Sequence, residues 1–304
     1  MKNIIGTLYA PLVSCVIPTY KRYNMLLRAI DSALNQTYQN IEILVVDDNN
    51  PDDEYSKKVK ELVTGIQDAR VRLIRQKKHI NGAVARNVGI REALGKYVAF
   101  LDDDDEWLPE KIKKQLFVLR SMPDCSGCTC LYIYSLQGRV IRKCPPYSTD
   151  RLQFKLLIRN VHTFTSTLLL DRAALLESGG FAEELLRYQD AQMLICFLRK
   201  NKITALREHY VIIHKDSAIN RIGLRQQIEI QAVFLAAMKD IIGTYSKSDQ
   251  KRIYAAYNFE LAIKAVKEKN IMSALRYIKK IGFYYPAIID FIVRINDNRK
   301  AHRL

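Results

Sequence analysis

The chain has 304 residues, of which 48% are hydrophobic and 26% are charged. This length and composition are typical of a large globular domain, with or without a smaller appendage, and they exclude wholesale disorder. The 48 Lys and Arg residues outnumber the 32 Asp and Glu residues and give a net charge of +16. That excess predicts an anionic partner, such as a phosphorylated ligand, a nucleic acid or an acidic membrane surface.

Predicted strands and helices alternate over the first 105 residues. Short apolar, β-branched runs are typical of strands buried in a sheet, and amphipathic stretches between them are typical of helices. The predicted strands are 13–18, 41–46, 71–74 and 97–101. The predicted helices are 22–36, one that Asp52 or Asp53 caps and that runs to about 67, and 81–94 with Gly95 as its stop. This order predicts an α/β fold, a mostly parallel sheet with helices on both faces.

Polar residues follow three of these strands. They are Pro18-Thr19-Tyr20, Asp47-Asp48 and Asp102 to Asp105. Ligands of such sheets bind at the carboxyl ends of the strands, so we expect these residues at one edge. Four adjacent carboxylates repel one another, and hard divalent cations bind carboxylate oxygens together with phosphate oxygens. The cluster therefore predicts a site for a metal–diphosphate complex, with a solvated acidic loop as the alternative.

The alternation breaks after about residue 128. Further strands are predicted at 130–134, 139–143, 162–170 and 210–213. Helices are predicted at 171–178, ended by Gly179-Gly180, and at 190–200. Beyond about residue 222 the pattern is helical, at 224–243, 247–268 and 271–281, followed by an apolar segment at 287–295.

The order of four segments resembles the inverting glycosyltransferases of family 2, which have the GT-A fold. The segments are VSCVIPTYKR, LVVDDNN, AVARNVGI and GKYVAFLDDDDEWLPEKI. The resemblance is close from residue 13 to about 116 and continues loosely through GGFAEELLRYQDAQMLICFLR at 179–199. It implies a GT-A domain over 1–222, with a nucleotide-binding half at about 10–116 and an acceptor half at about 117–222, and a basic helical region over 223–304.

The resemblance also implies roles for individual residues. Those matched to nucleotide-sugar binding are Pro18, Thr19, Tyr20, Arg22, Asp48, Arg86, Asp102 and Asp103. Tyr20 is expected to stack on the base and Asp48 to contact it, and the base is usually uracil. Asp104 and Asp102 are the expected ligands of Mn²⁺ or Mg²⁺, with His214 as a further candidate. The register of the acidic motif is open by one residue, because Asp105 could also end it.

The second half is expected to supply a catalytic base. Inversion needs a carboxylate that deprotonates the acceptor hydroxyl as it attacks the anomeric carbon. The resemblance matches Asp190 to this base, and Gln189 stands where the family usually has Glu. Asp190 also suits a helix N-cap, which is the alternative role.

The C-terminal part of the chain is basic. Residues 241–304 hold 13 Lys and Arg against 5 Asp and Glu, a net charge of +8. A basic helix with an apolar face can lie at a membrane interface, which would suit an acceptor carried on a lipid. A helical appendage with a solvated basic face is the alternative.

Six cysteines without a secretory h-region, and the lack of an 18-residue apolar run, predict a cytoplasmic protein with free thiols. The basic C-terminal part and a lipid-carried acceptor would place it peripherally on the inner face of the cell membrane. Cys125, Cys128, Cys130 and Cys144 could bind zinc. However, Cys128 and Cys130 alternate along one face of a predicted strand, and their one-residue spacer is poor for a zinc site, which favours small core residues.

We therefore expect a metal-dependent hexosyl- or N-acetylhexosaminyltransferase. It would take a nucleotide sugar, most simply a UDP-sugar, to a glycan or lipid-linked acceptor in surface-polysaccharide synthesis. No nucleic-acid motif is present, so no nucleic acid is expected as partner. A nucleotidyltransferase would need a Gly-rich loop where Pro18-Thr19-Tyr20 stands. A catalytically inactive family member that binds nucleotide or glycan remains the alternative.

Overall fold

The computed structural model describes residues 10–161, 163–215, 222–282, 286 and 289. Within these residues, the strands that form a single mixed sheet are β1 (Val13–Thr19), β2 (Ile41–Asp47), β3 (Val71–Arg75), β4 (Tyr97–Phe100), β5 (Asp105–Trp107), β6 (Gly127–Leu136), β7 (Arg139–Lys143), β8 (Leu169–Asp171) and β9 (Ile203–Lys215).

The helices run before, between and after these strands. They are α1 (Tyr23–Leu34), α2 (Glu54–Gly65), α3 (Gly82–Glu92), α4 (Lys111–Ser121), α5 (Leu152–Leu157), α6 (Arg172–Glu177), α7 (Gln189–Phe197), α8 (Leu224–Ala237), α9 (Lys239–Gly243), α10 (Lys247–Lys267) and α11 (Ile271–Ile281), with a short 3-10 helix at Thr165–Thr167. The predicted segment 287–295 lies outside the described residues apart from residue 289.

The sheet has a parallel half and a mixed half. The strand order is β3-β2-β1-β4-β8-β6-β9-β5, with β7 paired to β6. Strands β3, β2, β1 and β4 are parallel, as the sequence predicts, whereas β8 runs antiparallel to both β4 and β6. Thr19 pairs with Asp47 in the register of β1 and β2. The polar residues that follow these strands therefore meet at one edge.

The core has two layers, one on each face of the sheet. On β1, Val16 faces one layer, while Cys15 and Ile17 face the other. The Val16 layer also contains Phe234 and Tyr257, so α8 and α10 bury their large side chains in the main core. No helix among the described residues has the length and apolar run needed to span a bilayer.

Two sequence predictions are wrong here. The predicted strand 162–170 is instead the short 3-10 helix followed by β8, because the hydroxyls of Ser166 and Thr167 bond to buried partners next to the sheet. Residue 162 itself lies outside the described residues. Gly95 does not end α3, which stops at Glu92. A Cβ atom at residue 95 would lie 2.7 Å from the backbone nitrogen of Ser14, so Gly95 permits a close approach of two backbone segments.

Three of the four cysteines considered for zinc, Cys128, Cys130 and Cys144, are buried core residues, and Cys125 is partly buried against the same layer. The thiols of Cys128 and Cys130 are buried in the same layer as Cys15, and burial raises the pKa of Cys130 to about 11. Lys111 is buried among these three thiols, with its ammonium group 4.1 Å from the centre of the Trp107 ring. Burial lowers the pKa of Lys111 to about 8.

Candidate active site

A cleft of about 350 Å³ opens at the sheet edge where β1, β2 and β4 end. Its walls come from the loops after these strands and from the first turns of α3. The lining residues are Pro18, Thr19, Tyr20, Arg22, Asp48, His79, Gly82, Ala85, Arg86, Asp102, Asp103 and Asp104. All eight residues that the sequence assigns to nucleotide-sugar binding line this cleft, together with Asp104.

The acidic loop after β4 points its carboxylates in different directions. Asp103 is buried and accepts a hydrogen bond from the hydroxyl of Thr19, 2.8 Å away. Burial raises the pKa of Asp103 to about 7. Asp104 is ion-paired with Arg22 at the cleft rim. Asp105 does not line the cleft, because its carboxylate accepts the hydroxyl of Ser166 behind the loop, where burial raises its pKa.

The carboxylates of the cleft suit a hard cation that arrives with a diphosphate. Among the described residues, no set of three His, Cys, Asp or Glu side chains is arranged to hold a metal ion by itself. Mg²⁺ is commonly held by one or two carboxylates plus substrate phosphates, so the oxygen donors of Asp102 and Asp104 fit this chemistry.

Arg86 supplies positive charge beside the acidic loop. It projects from the first turns of α3, which begins where the side chain of Asn81 accepts the N–H groups of Ala83 and Val84. Its guanidinium forms an ion pair with Asp102. The buried Nε of Arg86 has no hydrogen-bond partner among the described residues, which leaves a donor for an anionic ligand.

A second, smaller cleft of about 180 Å³ adjoins the first. Arg86 and Asp102 line both clefts, and Asp190 lines only the second. Asp190 is in the first turn of α7, and its carboxylate accepts the N–H of Ala191 at 2.8 Å. The N-cap is Tyr188, so the alternative role of Asp190 as N-cap is wrong. Burial raises the pKa of Asp190, and the charge of Asp102 raises it further. The N–H of Ala191 and the positive charges of Arg159 and Arg86 lower it, but the net shift is upward.

The loop before Asp190 is held by two helices of the C-terminal region. The Arg159 guanidinium lies 4.4 Å from the centre of the Tyr188 ring, and its Nε donates to Glu260 of α10 at 3.2 Å. The Gln227 side-chain amide on α8 donates to the Tyr188 hydroxyl at 2.6 Å. Arg159 and Tyr188 both have the left-handed backbone, with φ of 63° and 64°. The sequence analysis missed this contact, which joins residues about a hundred positions apart.

His79 is the other site residue that the sequence analysis missed. Its ring stacks on Tyr20 with centroids 3.8 Å apart, and its Nδ1 lies 2.9 Å from a carboxylate oxygen of Asp48. The signal was available, because His79 follows β3 at the same sheet edge as the residues after β1 and β2. His214 lies elsewhere: its Nε2 is 3.1 Å from Glu106 and it lines neither cleft. Its role as a metal ligand stays a prediction.

Sequence comparison relates the chain to known glycosyltransferases. The profile of glycosyl transferase family 2 matches residues 14–179. An uncharacterised glycosyltransferase of Rickettsia prowazekii is 31% identical over 94% of this chain and 91% of its own length. The Escherichia coli UDP-Glc:alpha-D-GlcNAc-diphosphoundecaprenol beta-1,3-glucosyltransferase WfgD is 25% identical over 82% of this chain and 92% of its own length. An uncharacterised glycosyltransferase of Rickettsia felis is 46% identical over 34% of this chain, and that match spans only 16% of the relative.

Solved structures share the fold. S. aureus TarS (1–349) in complex with UDP-GlcNAc has a TM-score of 0.63 and 16% identity, over 96% of this chain and 90% of TarS. The mannosyltransferase PcManGT of Pyrobaculum calidifontis, in complex with GDP-Man and Mn²⁺, has a TM-score of 0.59 and 15% identity, over 96% of this chain and 87% of its own. At such identities the likeness shows the α/β fold alone.

Proposed function

The chain belongs to glycosyl transferase family 2 and is a glycosyltransferase, and from that premise we propose that it inverts the sugar it transfers. The donor is a nucleotide-diphosphate sugar and the acceptor is a hydroxyl of a saccharide. The observation that carries this proposal is the sharing of Arg86 and Asp102 by the two clefts. A donor whose diphosphate lies at the acidic loop thereby has its anomeric carbon directed toward Asp190.

Asp190 acts as the general base of the transfer. Its carboxylate takes the proton of the acceptor hydroxyl as that oxygen attacks the anomeric carbon from the face opposite the diphosphate. Burial raises the pKa of Asp190 and makes it a better proton acceptor, while Arg159 and Arg86 keep it ionised. Arg86 also donates to the diphosphate as negative charge develops on it.

A divalent cation, Mn²⁺ or Mg²⁺, completes the donor end of the site. When bound, it supplies positive charge to the leaving diphosphate. Asp104 and Asp102 would hold it together with diphosphate oxygens, and Arg22, which is ion-paired with Asp104, would add positive charge beside the same anion. The Mn²⁺ complex of PcManGT supports this part of the proposal.

The donor is a UDP-sugar and the acceptor is carried on a lipid. TarS in complex with UDP-GlcNAc supports the choice of nucleotide, and the lipid-linked acceptor named for WfgD supports the choice of acceptor. Transfer to such an acceptor takes place at a membrane surface, and we place it at the cytoplasmic face in the assembly of a surface polysaccharide. Residues 1–222 form the transferase domain and 223–304 the basic helical region.

Thermal unfolding with UDP, GDP, CDP or TDP, each with and without Mn²⁺, tests the donor end first. A ligand that binds the native state raises Tm by mass action, so we expect a Mn²⁺-dependent rise with UDP. UDP release is then measured with UDP-sugars and a diphospho-lipid-linked GlcNAc. No rise with any nucleotide would refute the donor site. A rise without UDP release from any donor would instead favour the inactive nucleotide-binding alternative.

A further inference from the structure

Helices α10 and α11 leave an apolar surface exposed. Its members are Val266, Ile271, Met272, Leu275 and Ile278, each at least 51% exposed. We call these five residues the apolar strip. They lie at the end of α10 and along one side of α11. The other side of α11 buries Ala274, Tyr277 and Ile281. The helix is therefore apolar on two sides, and among the described residues only the second of them is buried.

Cations surround the apolar strip. The exposed ones between residues 266 and 280 are Lys267, Lys269, Arg276, Lys279 and Lys280. Glu268 is the single carboxylate of this stretch, which therefore has five positive charges, one negative charge and a net charge of +4. The Glu268 carboxylate accepts the N–H of Leu224 at 2.9 Å, at the start of α8. Its negative charge is thus used to cap another helix.

We propose that the apolar strip and its five cations dock on an anionic lipid bilayer, with α11 lying in the interface. Such a helix buries its apolar side chains between headgroups, while Lys and Arg pair with acidic lipids. A second copy of this chain is the poorer partner, because a two-fold contact would bring two faces of +4 together. A nucleic acid would use the cations and leave the apolar strip in water.

A docking surface of this kind would bring the enzyme to a lipid-linked acceptor, which lies at such a bilayer. Only this use of the surface rests on the proposed function. The contact itself needs neither nucleotide nor catalysis. Long Lys and Arg side chains reach the headgroup level while the helix axis stays at the acyl boundary. The arrangement therefore predicts binding that depends on both acidic lipid and apolar contact.

The test is co-sedimentation of the full chain with vesicles of phosphatidylcholine, alone or mixed with phosphatidylglycerol. We expect at least about tenfold tighter binding to the mixed vesicles, with binding weakened by salt. The double variant Leu275→Ser, Ile278→Ser and the double variant Lys279→Glu, Lys280→Glu should each lose most of it. Phe117→Ser and the pair Lys113→Glu, Lys114→Glu are matched controls on the exposed side of α4 and should bind as the parent does.

A second measurement covers variants that fold poorly. Leu275→Trp adds a reporter to a chain whose single tryptophan, Trp107, is buried. Its emission should be quenched by brominated lipids in mixed vesicles, while emission from the parent stays unchanged.

Three outcomes would each overturn the proposal. They are equal binding to both vesicle types, unchanged binding by both double variants, and dimerisation that the double variant Leu275→Ser, Ile278→Ser abolishes. The UDP-dependent rise in Tm is read on the same variants. If that rise is kept while vesicle binding is lost, the docking surface and the donor site are independent. If the parent binds mixed vesicles but shows no rise, the proposed donor fails and the docking surface stands.

Discussion

The two ends of the active-site cleft are built in different ways. At the donor end, the lining residues come from the first 104 residues and sit where parallel strands stop. At the base end, Asp190 is held through Tyr188 and Arg159 by side chains of α8 and α10. One end is therefore formed by the sheet and its loops, whereas the other depends on helices from the last third of the chain.

Only one end of the site depends on structure that is distant in the sequence. The donor end is built from the loops after neighbouring strands and from the start of α3, so it should survive changes in the C-terminal helices. The base end needs a contact between residue 159 and residue 260, and it should respond to changes that leave the donor end intact. The experiments below test this division.

The largest effect is expected for Asp190→Asn. Without the carboxylate, the acceptor proton has no general base, and such groups contribute about 10²–10⁴-fold to rate. We expect kcat to fall by about 10³-fold while the Mn²⁺-dependent rise in Tm with UDP stays as in the parent. The matched control is Glu184→Gln, which makes the same change from carboxylate to carboxamide at an exposed position on the same loop, and it should transfer normally. Near-normal turnover by Asp190→Asn would show that Asp190 is not the general base, and the two ends would then not differ in the way described.

Asp104→Ala should affect the opposite end. Losing a carboxylate that faces the metal–diphosphate should weaken UDP binding in Mn²⁺ by at least about tenfold. Isothermal titration with UDP, with and without Mn²⁺, measures it, and the matched control is the exposed Asp124→Ala. Unchanged affinity in Mn²⁺ would show that Asp104 is not a metal ligand.

Arg159→Gln should change how the activity depends on pH. Asp190 must be ionised to act, so activity is lost as pH falls through its raised pKa. The positive charges of Arg159 and Arg86 and the N–H of Ala191 lower that pKa, and Asp102 raises it. Removing the charge of Arg159 should therefore raise the pKa of Asp190 further and move the acid limb of the kcat profile to higher pH.

Glu260→Gln is the matched control for Arg159→Gln. It removes the anchor of Arg159 on α10 but keeps the charge of Arg159 near Asp190. We expect kcat to fall with little movement of the acid limb, and UDP binding to stay normal in both variants. Identical pH profiles for the parent and Arg159→Gln would mean that Arg159 serves the fold alone.

The smallest effect is expected for His79→Ala at the donor end. Stacked aromatic rings contribute about 0.5–1.5 kcal/mol beyond their buried area, and His79 also contacts Asp48. We expect UDP affinity to fall by roughly two- to tenfold. His209→Ala is the control, because its ring contacts the carbonyl of Cys144 outside both clefts. A loss of several hundredfold would mean that His79 itself binds the nucleotide.

The parallel half of the fold could be predicted because β1, β2 and β4 are buried apolar runs, and because β3, which is only partly buried, still has three apolar residues in five. Asp102 to Asp104 could be located because strand ends meet at a sheet edge. By contrast, β5 has three residues and gives too short a pattern. Asp190 was found only through the resemblance.

The contact around Tyr188 could not be predicted. Neither Arg159 nor Tyr188 is a residue type that favours the left-handed backbone, so the local sequence does not predict either turn. Glu260 lies on the long helix α10, whose charged residues would ordinarily face water. Only the packing of α10 against the main core brings it to Arg159.

The turn at Gly180 limits how freely the chain can vary. Its φ is +64°, and a Cβ atom there would lie 2.7 Å from the side-chain oxygen of Asn87. The Asn87 side chain accepts a hydrogen bond from the N–H of Phe181 and donates one to the Phe181 carbonyl. It therefore holds the loop before Asp190 against α3, the helix that also carries Arg86. In a library of all single substitutions, residue 180 should strongly favour glycine, because any other residue adds a clash with Asn87 to a left-handed backbone.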